Sequence, residues 1–146
     1  MYVLVQRVRQ ATVRIDEQIA GHIDRGLLVF ICAEPNDTHE HARRAVAKLL
    51  KLRVFADDAG KMNKSVQDID GALLIVSQFT LAADVWQGNR PSFTGAAPAA
   101  LGEALYDQVV TLAREQHPTV ETGRFGADMQ ISLMNDGPVT IPFRVL

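Results

Sequence analysis

"GALLIVSQFTL", Gly71–Leu81, is the stretch on which the fold turns. Its unbroken apolar run, Ala72 to Val76, begins after a glycine and passes into the polar Ser77-Gln78. That pattern predicts a strand buried on both faces, which needs a packed layer on each side. One layer is legible as two helices. "PNDT" offers caps for the first, in which Ala42, Ala45, Val46, Leu49 and Leu50 recur at helical spacing. The second is expected from Pro98 to Gln116, with Leu101, Leu105, Val109 and Leu112 as its buried stripe and His117-Pro118 as its end. Two helices cover only one face of a sheet. The other face must pack on further sheet or on another subunit.

The remaining segments supply strands. "YVLVQRV", "ATVRI" and "GLLVFICA" are rich in β-branched and apolar residues, with "DEQIAGHIDRG" as turn chemistry between them. "LRVFADDAGKMN" reads as a short strand ending in a turn. In "ADMQISLM", Met129, Ile131 and Leu133 share one face, and "VTIPFRVL" closes the chain. Between the last two lies "NDGPVTI", Asn135–Ile141, where Asn-Asp-Gly reads as a tight hairpin turn. Pro138 then removes an amide just where the next strand should begin to pair. The expectation is one domain over residues 1–146, with about eight strands and two helices.

Composition narrows the function classes. At 146 residues with 47% hydrophobic and 22% charged residues, the chain can bury a core and is neither disordered nor a coiled coil. A net charge of −2 gives no general affinity for polyanions, so any nucleic-acid contact must be local. Arg44, Lys48 and Lys51 form one basic stripe on the first helix, read either as a solvated face or as a backbone-binding surface. The single Cys32 lies in an apolar run and reads as a buried structural thiol. With no 18-residue apolar run and no signal peptide, the expected location is the cytosol.

Side-chain motifs say little about chemistry. His39 and His41, two apart on a helix, point away from each other, and His22 and His117 have no ligand-spaced partners, so no metal site is expected. Ser77 and Thr80 end the buried strand, where active sites gather, but no G-x-S-x-G elbow or recognisable catalytic histidine accompanies them. Nucleophile and structural roles both stay open for these two residues. Walker, dinucleotide and aromatic RNA-binding signatures are absent. The irregular "AADVWQGNRPSFTGAAP" is the kind of loop that carries function.

Seven segments in order supply what the motifs do not: "QRV" (Gln6–Val8), "GKMN" (Gly60–Asn63), "SQFTL" (Ser77–Leu81), "GNRPSF" (Gly88–Phe93), "EALYD" (Glu103–Asp107), "TGRFGADMQISL" (Thr122–Leu133) and "NDGPVT" (Asn135–Thr140). Together they resemble the D-aminoacyl-tRNA deacylases, small homodimeric enzymes that strip mischarged D-amino acids from tRNA. The likeness spans essentially the whole chain and departs most at "DVWQ" (Asp84–Gln87), where relatives often carry a basic residue.

The resemblance implies an α/β fold of α+β type, three layers β/β/α of mostly antiparallel sheet with two main helices. It implies a carboxylic ester hydrolase without cofactor that acts on D-aminoacyl-tRNA and on glycine mischarged on alanine tRNA. The partners it implies are the aminoacylated 3′ end of tRNA and a second copy of the chain, with no membrane. Gly137-Pro138 would be a cis peptide inserted into the partner's site, where carbonyl oxygens exclude L-amino acids, and Arg7 would lock it. Gln78 and Phe79 would bind near the ester, with Ser77 beside them, and Met129 would lie near the terminal adenine. Thr80 is the candidate nucleophile, against a route in which the 2′-hydroxyl of the terminal adenosine assists water. A non-catalytic tRNA-end-binding module and a Ser/Thr hydrolase of small esters remain the alternatives at this point.

Overall fold

A computed structural model describes residues 1–146. The elements are β1 (Tyr2–Ile15), β2 (Gln18–Ile23), β3 (Gly26–Cys32), α1 (His39–Lys51), β4 (Phe55–Ala56), β5 (Met62–Lys64), β6 (Ala72–Ser77), a 3₁₀ turn (Phe79–Ala82), α2 (Ala99–Gln116), β7 (Val120–Thr122) and β8 (Gln130–Arg144). Six strands form one sheet in the order β2-β1-β3-β6-β7, with β8 on the other edge of β1. Pairings of β1 with β2, β3 and β8 are antiparallel, whereas β3-β6 and β6-β7 are parallel. β4 and β5 make a separate hairpin around the Asp-Asp-Ala-Gly turn.

Alternation along β3 and β6 explains the layers. Leu27, Val29 and Ile31, with Leu73 and Ile75, face a core filled by Ala42, Val46, Leu49, Leu105 and Val109 of the two helices. Leu28, Ala72, Leu74 and Val76 face the opposite way, onto Val8, Ala11, Val13, Ile15 and Ile23 of β1 and β2. Helices, central strands and the β1–β2 ribbon are therefore the three layers, with both faces of β6 buried as its sequence predicts. Each fully buried Leu or Ile contributes about 1.5–3 kcal/mol, so these two interfaces dominate the favourable side of folding. His117 fastens the end of α2: its Nε2 lies 2.6 Å from the Gly71 carbonyl, just ahead of β6.

Three sequence expectations fail: "DEQIAGHIDRG", read as turn chemistry, carries the six-residue strand β2, paired with the second half of β1, and the other two fail for one shared reason. "YVLVQRV" and "ATVRI" are not separate strands but the single 14-residue β1, which pairs with β3 through Val8 and with β2 from Ala11. Likewise "NDGPVTI" is not a hairpin turn between two final strands. It is a bulge inside the 15-residue β8, whose two halves both stay paired with β1. Thr140 opposes Gln6 and Asn135 opposes Val8, so residues 136–139 face the single residue Arg7. The long partner strand, not the local turn propensity of Asn135–Gly137, decides that the chain continues rather than reverses.

The β3–β6 contact depends on Gly26. A Cβ there would sit 1.9 Å from the Ala72 carbonyl oxygen and 2.7 Å from its nitrogen. Backbone cannot yield that far without losing the parallel register. Gly26→Ala should therefore destabilise the protein by about 3 kcal/mol or more, at or beyond the upper end of ordinary overpacking costs. Urea denaturation checks this, and an unchanged midpoint would contradict the register described here.

Candidate active site

β6 delivers "SQFTL" to the C-terminal ends of the parallel strands, the end at which open α/β sheets bind ligands. Ser77 is the last paired residue, opposite Ile31. The Gln78 amide donates to the Ile31 carbonyl at 2.8 Å, after which the chain turns through Phe79–Ala82. The Gln78 side-chain Nε2 donates to Thr80 Oγ1 at 2.6 Å, which fixes both side chains.

Beside this turn opens a cavity of about 610 Å³, with 14 of its 19 lining residues hydrophobic. Ser77, Gln78 and Phe79 form one wall, and Tyr106 and Gly102 of α2 another. Phe125, Ala127 and Met129 come from the segment before β8, and Phe93 from the long loop before α2. Phe79 and Phe93 meet edge to face, with ring centroids 5.1 Å apart. Polar side chains are few: Ser77, Gln78 and the exposed Asp128, the one carboxylate on the lining. No histidine lines the cavity. The chain's Thr–His–Asp row, Thr12 Oγ1 to His22 Nδ1 at 2.7 Å and His22 Nε2 to Asp24 at 3.2 Å, is a cross-strand pair on β1 and β2, outside it. His41 accepts from the Thr38 amide at the start of α1, and no group of three His, Cys, Asp or Glu side chains is arranged to hold a metal ion. On α1, Arg44, Lys48 and Lys51 are all exposed.

A second feature is built on β8. The Gly137-Pro138 peptide is cis, and Gly137 has φ +146°, a conformation that L side chains rarely adopt. Arg7, only 15% exposed, holds this bulge from β1: Nε donates to the Asp136 carbonyl at 2.8 Å and Nη1 to the Val54 carbonyl at 2.5 Å. Asn135 closes the bulge, its Oδ1 accepting from the Val139 amide at 2.8 Å and its Nδ2 donating to Thr140 Oγ1 at 3.0 Å. Gly137 and Pro138 themselves are exposed and do not line the cavity of their own chain. The structure thus gathers Ser77, Gln78, Phe79 and Met129 at one cavity, sets Thr80 just outside its lining, and places Arg7, Gly137 and Pro138 together elsewhere.

The family model described as D-Tyr-tRNA(Tyr) deacylase matches residues 4–144. The chain belongs to this deacylase family. Curated relatives called D-aminoacyl-tRNA deacylase are 63% identical in Delftia acidovorans, over 99% of this chain and 96% of the relative, and 60% identical in Aromatoleum aromaticum, over 100% and 96%. A solved structure named c-Myc DNA Unwinding Element Binding Protein superposes with TM-score 0.94 at 39% identity, covering 99% of this chain and 98% of that one. A probable eukaryotic D-amino acid tRNA deacylase superposes with TM-score 0.85 over 97% of both chains; at 21% identity it attests the fold alone. The resemblance read in the sequence holds at the level of family, fold and enzyme class, a hydrolase.

Sequence reasoning quoted the family segments but gave no role to Phe93, Tyr106, Phe125 or Asp128, all of which line the cavity. Each lies in one of those segments, so the signal was present without an assignment. Cys32 also lines the cavity; burial pushes its thiol up, so it stays protonated, with Sγ 3.4 Å from the Phe79 carbonyl. Burial likewise pushes the Tyr106 hydroxyl up to about 12, with Asp107 adding to the shift. Its hydroxyl donates to the Ile75 carbonyl at 2.8 Å, tying α2 to β6 beneath the cavity.

A phenol whose folded pKa is raised contributes stability that is full below its unfolded value and is lost as pH rises through the folded one. That window runs from about 10 to about 12 for Tyr106. A phenolate absorbance titration of the folded protein should show one tyrosine still protonated near pH 11, and Tyr106→Phe should remove that late step. A titration with no late step would contradict the burial and hydrogen bond described.

Proposed function

We propose that the chain hydrolyses the ester bond of D-aminoacyl-tRNA, releasing tRNA and free D-amino acid, and also clears glycine mischarged on alanine tRNA. It acts in the cytoplasm as a homodimer without a cofactor, each subunit completing the other's site. The observation that carries this reading is the separation of two rigid features. An apolar cavity beside Ser77-Gln78-Phe79 faces solvent, while an exposed main-chain bulge, Gly137-Pro138, is locked by Arg7 and Asn135 outside that cavity.

The cavity's apolar walls suit the terminal adenosine, with Met129 and the aromatic residues against the base, and the ester at "SQFTL". The amides of Phe79 and Thr80 precede any acceptor within the 3₁₀ turn. They are the donors available to an oxyanion as the ester carbonyl is attacked. An aminoacyl ester is already activated, so positioning and such donors suffice for a water assisted by the substrate's own 2′-hydroxyl. Thr80 has no base within hydrogen-bond reach; its oxygen accepts from Gln78 instead. That favours the substrate-assisted route over a threonine nucleophile.

Chirality is set by the partner's Gly137-Pro138 carbonyls, which stand where an L side chain would project. Main chain pinned by a half-buried guanidinium cannot move aside by a rotamer change, so exclusion is strict. Glycine has nothing to exclude and is accepted.

Incubation with D-tyrosyl-tRNA and L-tyrosyl-tRNA tests the activity: selective release from the D ester is expected, and no D-selective release would leave only a binding role. Thr80→Ala should keep kcat within roughly tenfold of the parent, whereas a loss on the order of 1,000-fold or more would restore the nucleophile. Gly137→Ala brings a Cβ within 2.8 Å of Val139 Cγ2 and 2.9 Å of its amide nitrogen, at an unfavourable φ. It should lower kcat/KM on the D ester at least tenfold; an unchanged kcat/KM with unchanged L exclusion would count against the wall.

A further inference from the structure

Trp86 is the only tryptophan of the chain and is 91% exposed, the most exposed of its large apolar side chains. No contact within the fold accounts for it. Its loop is nevertheless ordered by its own bonds. Asp84 and Ser92 exchange backbone hydrogen bonds of 2.8 and 2.9 Å, closing the loop at its base. The Asp84 carboxylate then accepts from the Trp86 amide at 2.9 Å and from the Gln87 side chain at 3.4 Å. A ring carried on such a loop loses little freedom on binding.

The loop is rooted at the cavity mouth: the residue after Ser92 is Phe93, which lines the cavity and packs edge to face on Phe79. Val85, beside the tryptophan, is 55% exposed. Arg90 on the same loop is exposed and belongs to none of the chain's ion pairs. A flat ring, a free cation and continuity with a nucleoside-sized cavity are the parts used to bind single-stranded nucleic acid, in which bases stack on aromatics and cations meet phosphates. The overall charge of −2 makes such local contacts the means by which this chain can hold RNA.

We propose that Trp86 stacks on an unpaired nucleotide of the tRNA 3′ end, next to the terminal nucleotide held in the cavity, with Arg90 toward the backbone phosphate. This rests on the deacylase reading above and adds a second RNA subsite outside the cavity. Trp86 touches no reacting atom; it raises the share of productive encounters with the whole tRNA.

Two substrates separate the possibilities: D-tyrosyl-tRNA and the D-tyrosyl ester of adenosine, which lacks every nucleotide but the last. Trp86→Ala should raise KM for D-tyrosyl-tRNA roughly 5- to 150-fold, the range for loss of one base stack, with kcat unchanged. On the adenosine ester its kcat/KM should stay within about twofold of the parent, and Trp86→Phe should recover most of the tRNA effect. Fluorescence of the lone tryptophan should change on adding deacylated tRNA, and not on adding tRNA trimmed of its unpaired 3′ nucleotides. Equal losses on both esters, or no loss on either, would overturn the inference while leaving the deacylase reading intact. So would fluorescence that follows protein concentration but not RNA, which would assign the patch to a second copy. Cleavage of neither ester by the parent protein would remove the deacylase reading and the inference with it.

Discussion

The Arg7 guanidinium, spanning the Asp136 and Val54 carbonyls, is the contact that holds the β8 bulge, and the proposed two-subunit site depends on it. β1 and β8 pair on both sides of it, and at Arg7 alone four residues of β8 stand opposite one. Such a bulge would ordinarily leave carbonyls without donors. A planar cation with five N–H groups satisfies the Asp136 carbonyl of the bulge and the Val54 carbonyl outside it at once, and lysine, a point charge, could not span the same pair. Val3 and Val5 of the same strand face lie in the main core, so the arginine ends an otherwise apolar row. Its charge is tolerated there because carbonyl dipoles receive it and the Asp136 carboxylate lies 3.8 Å away.

The consequence is a division of labour. The cavity offers shape, apolar walls and a turn whose first amides lack acceptors, with few side chains able to take a proton. The bulge offers main-chain atoms held by side chains that are themselves fixed. Under the proposed function, the substrate already carries an activated ester and a neighbouring hydroxyl, and the difficulty is discrimination rather than bond breaking. In the proposed dimer the two features meet only across the interface, so a single chain would hold both halves and use neither alone.

Much of this was legible in the sequence. Ala72–Val76 correctly implied a strand buried on both faces, and the apolar spacing of Ala42–Leu50 and Leu101–Leu112 located both helices to within a residue or two. The continuity of β1 and β8 was not legible, because each half carries its own strand signal and, in β8, the junction carries turn chemistry. What overrides those signals is a long-range pairing, and composition at Asn135–Gly137 holds no record of it. The odd placement of Arg7 beside Val3 and Val5 was visible, but the carbonyls it serves lie 47 and 129 residues away. The cavity's aromatic residues were visible only as members of quoted segments, since no spacing rule joins Phe93, Tyr106 and Phe125.

The central claim is that cavity and bulge act in trans, and mixed dimers test it most directly. One chain would carry Ala96→Trp, filling the cavity to which Ala96 contributes, and the other Gly137→Ala in the bulge. Each variant alone should keep about a tenth or less of the parent activity on D-tyrosyl-tRNA. Co-assembled in equal amounts, they should recover about a quarter of the parent activity, because roughly half the dimers are mixed and each mixed dimer holds one intact site of its two. Activity no greater than that of the separate variants would contradict a site built from two subunits.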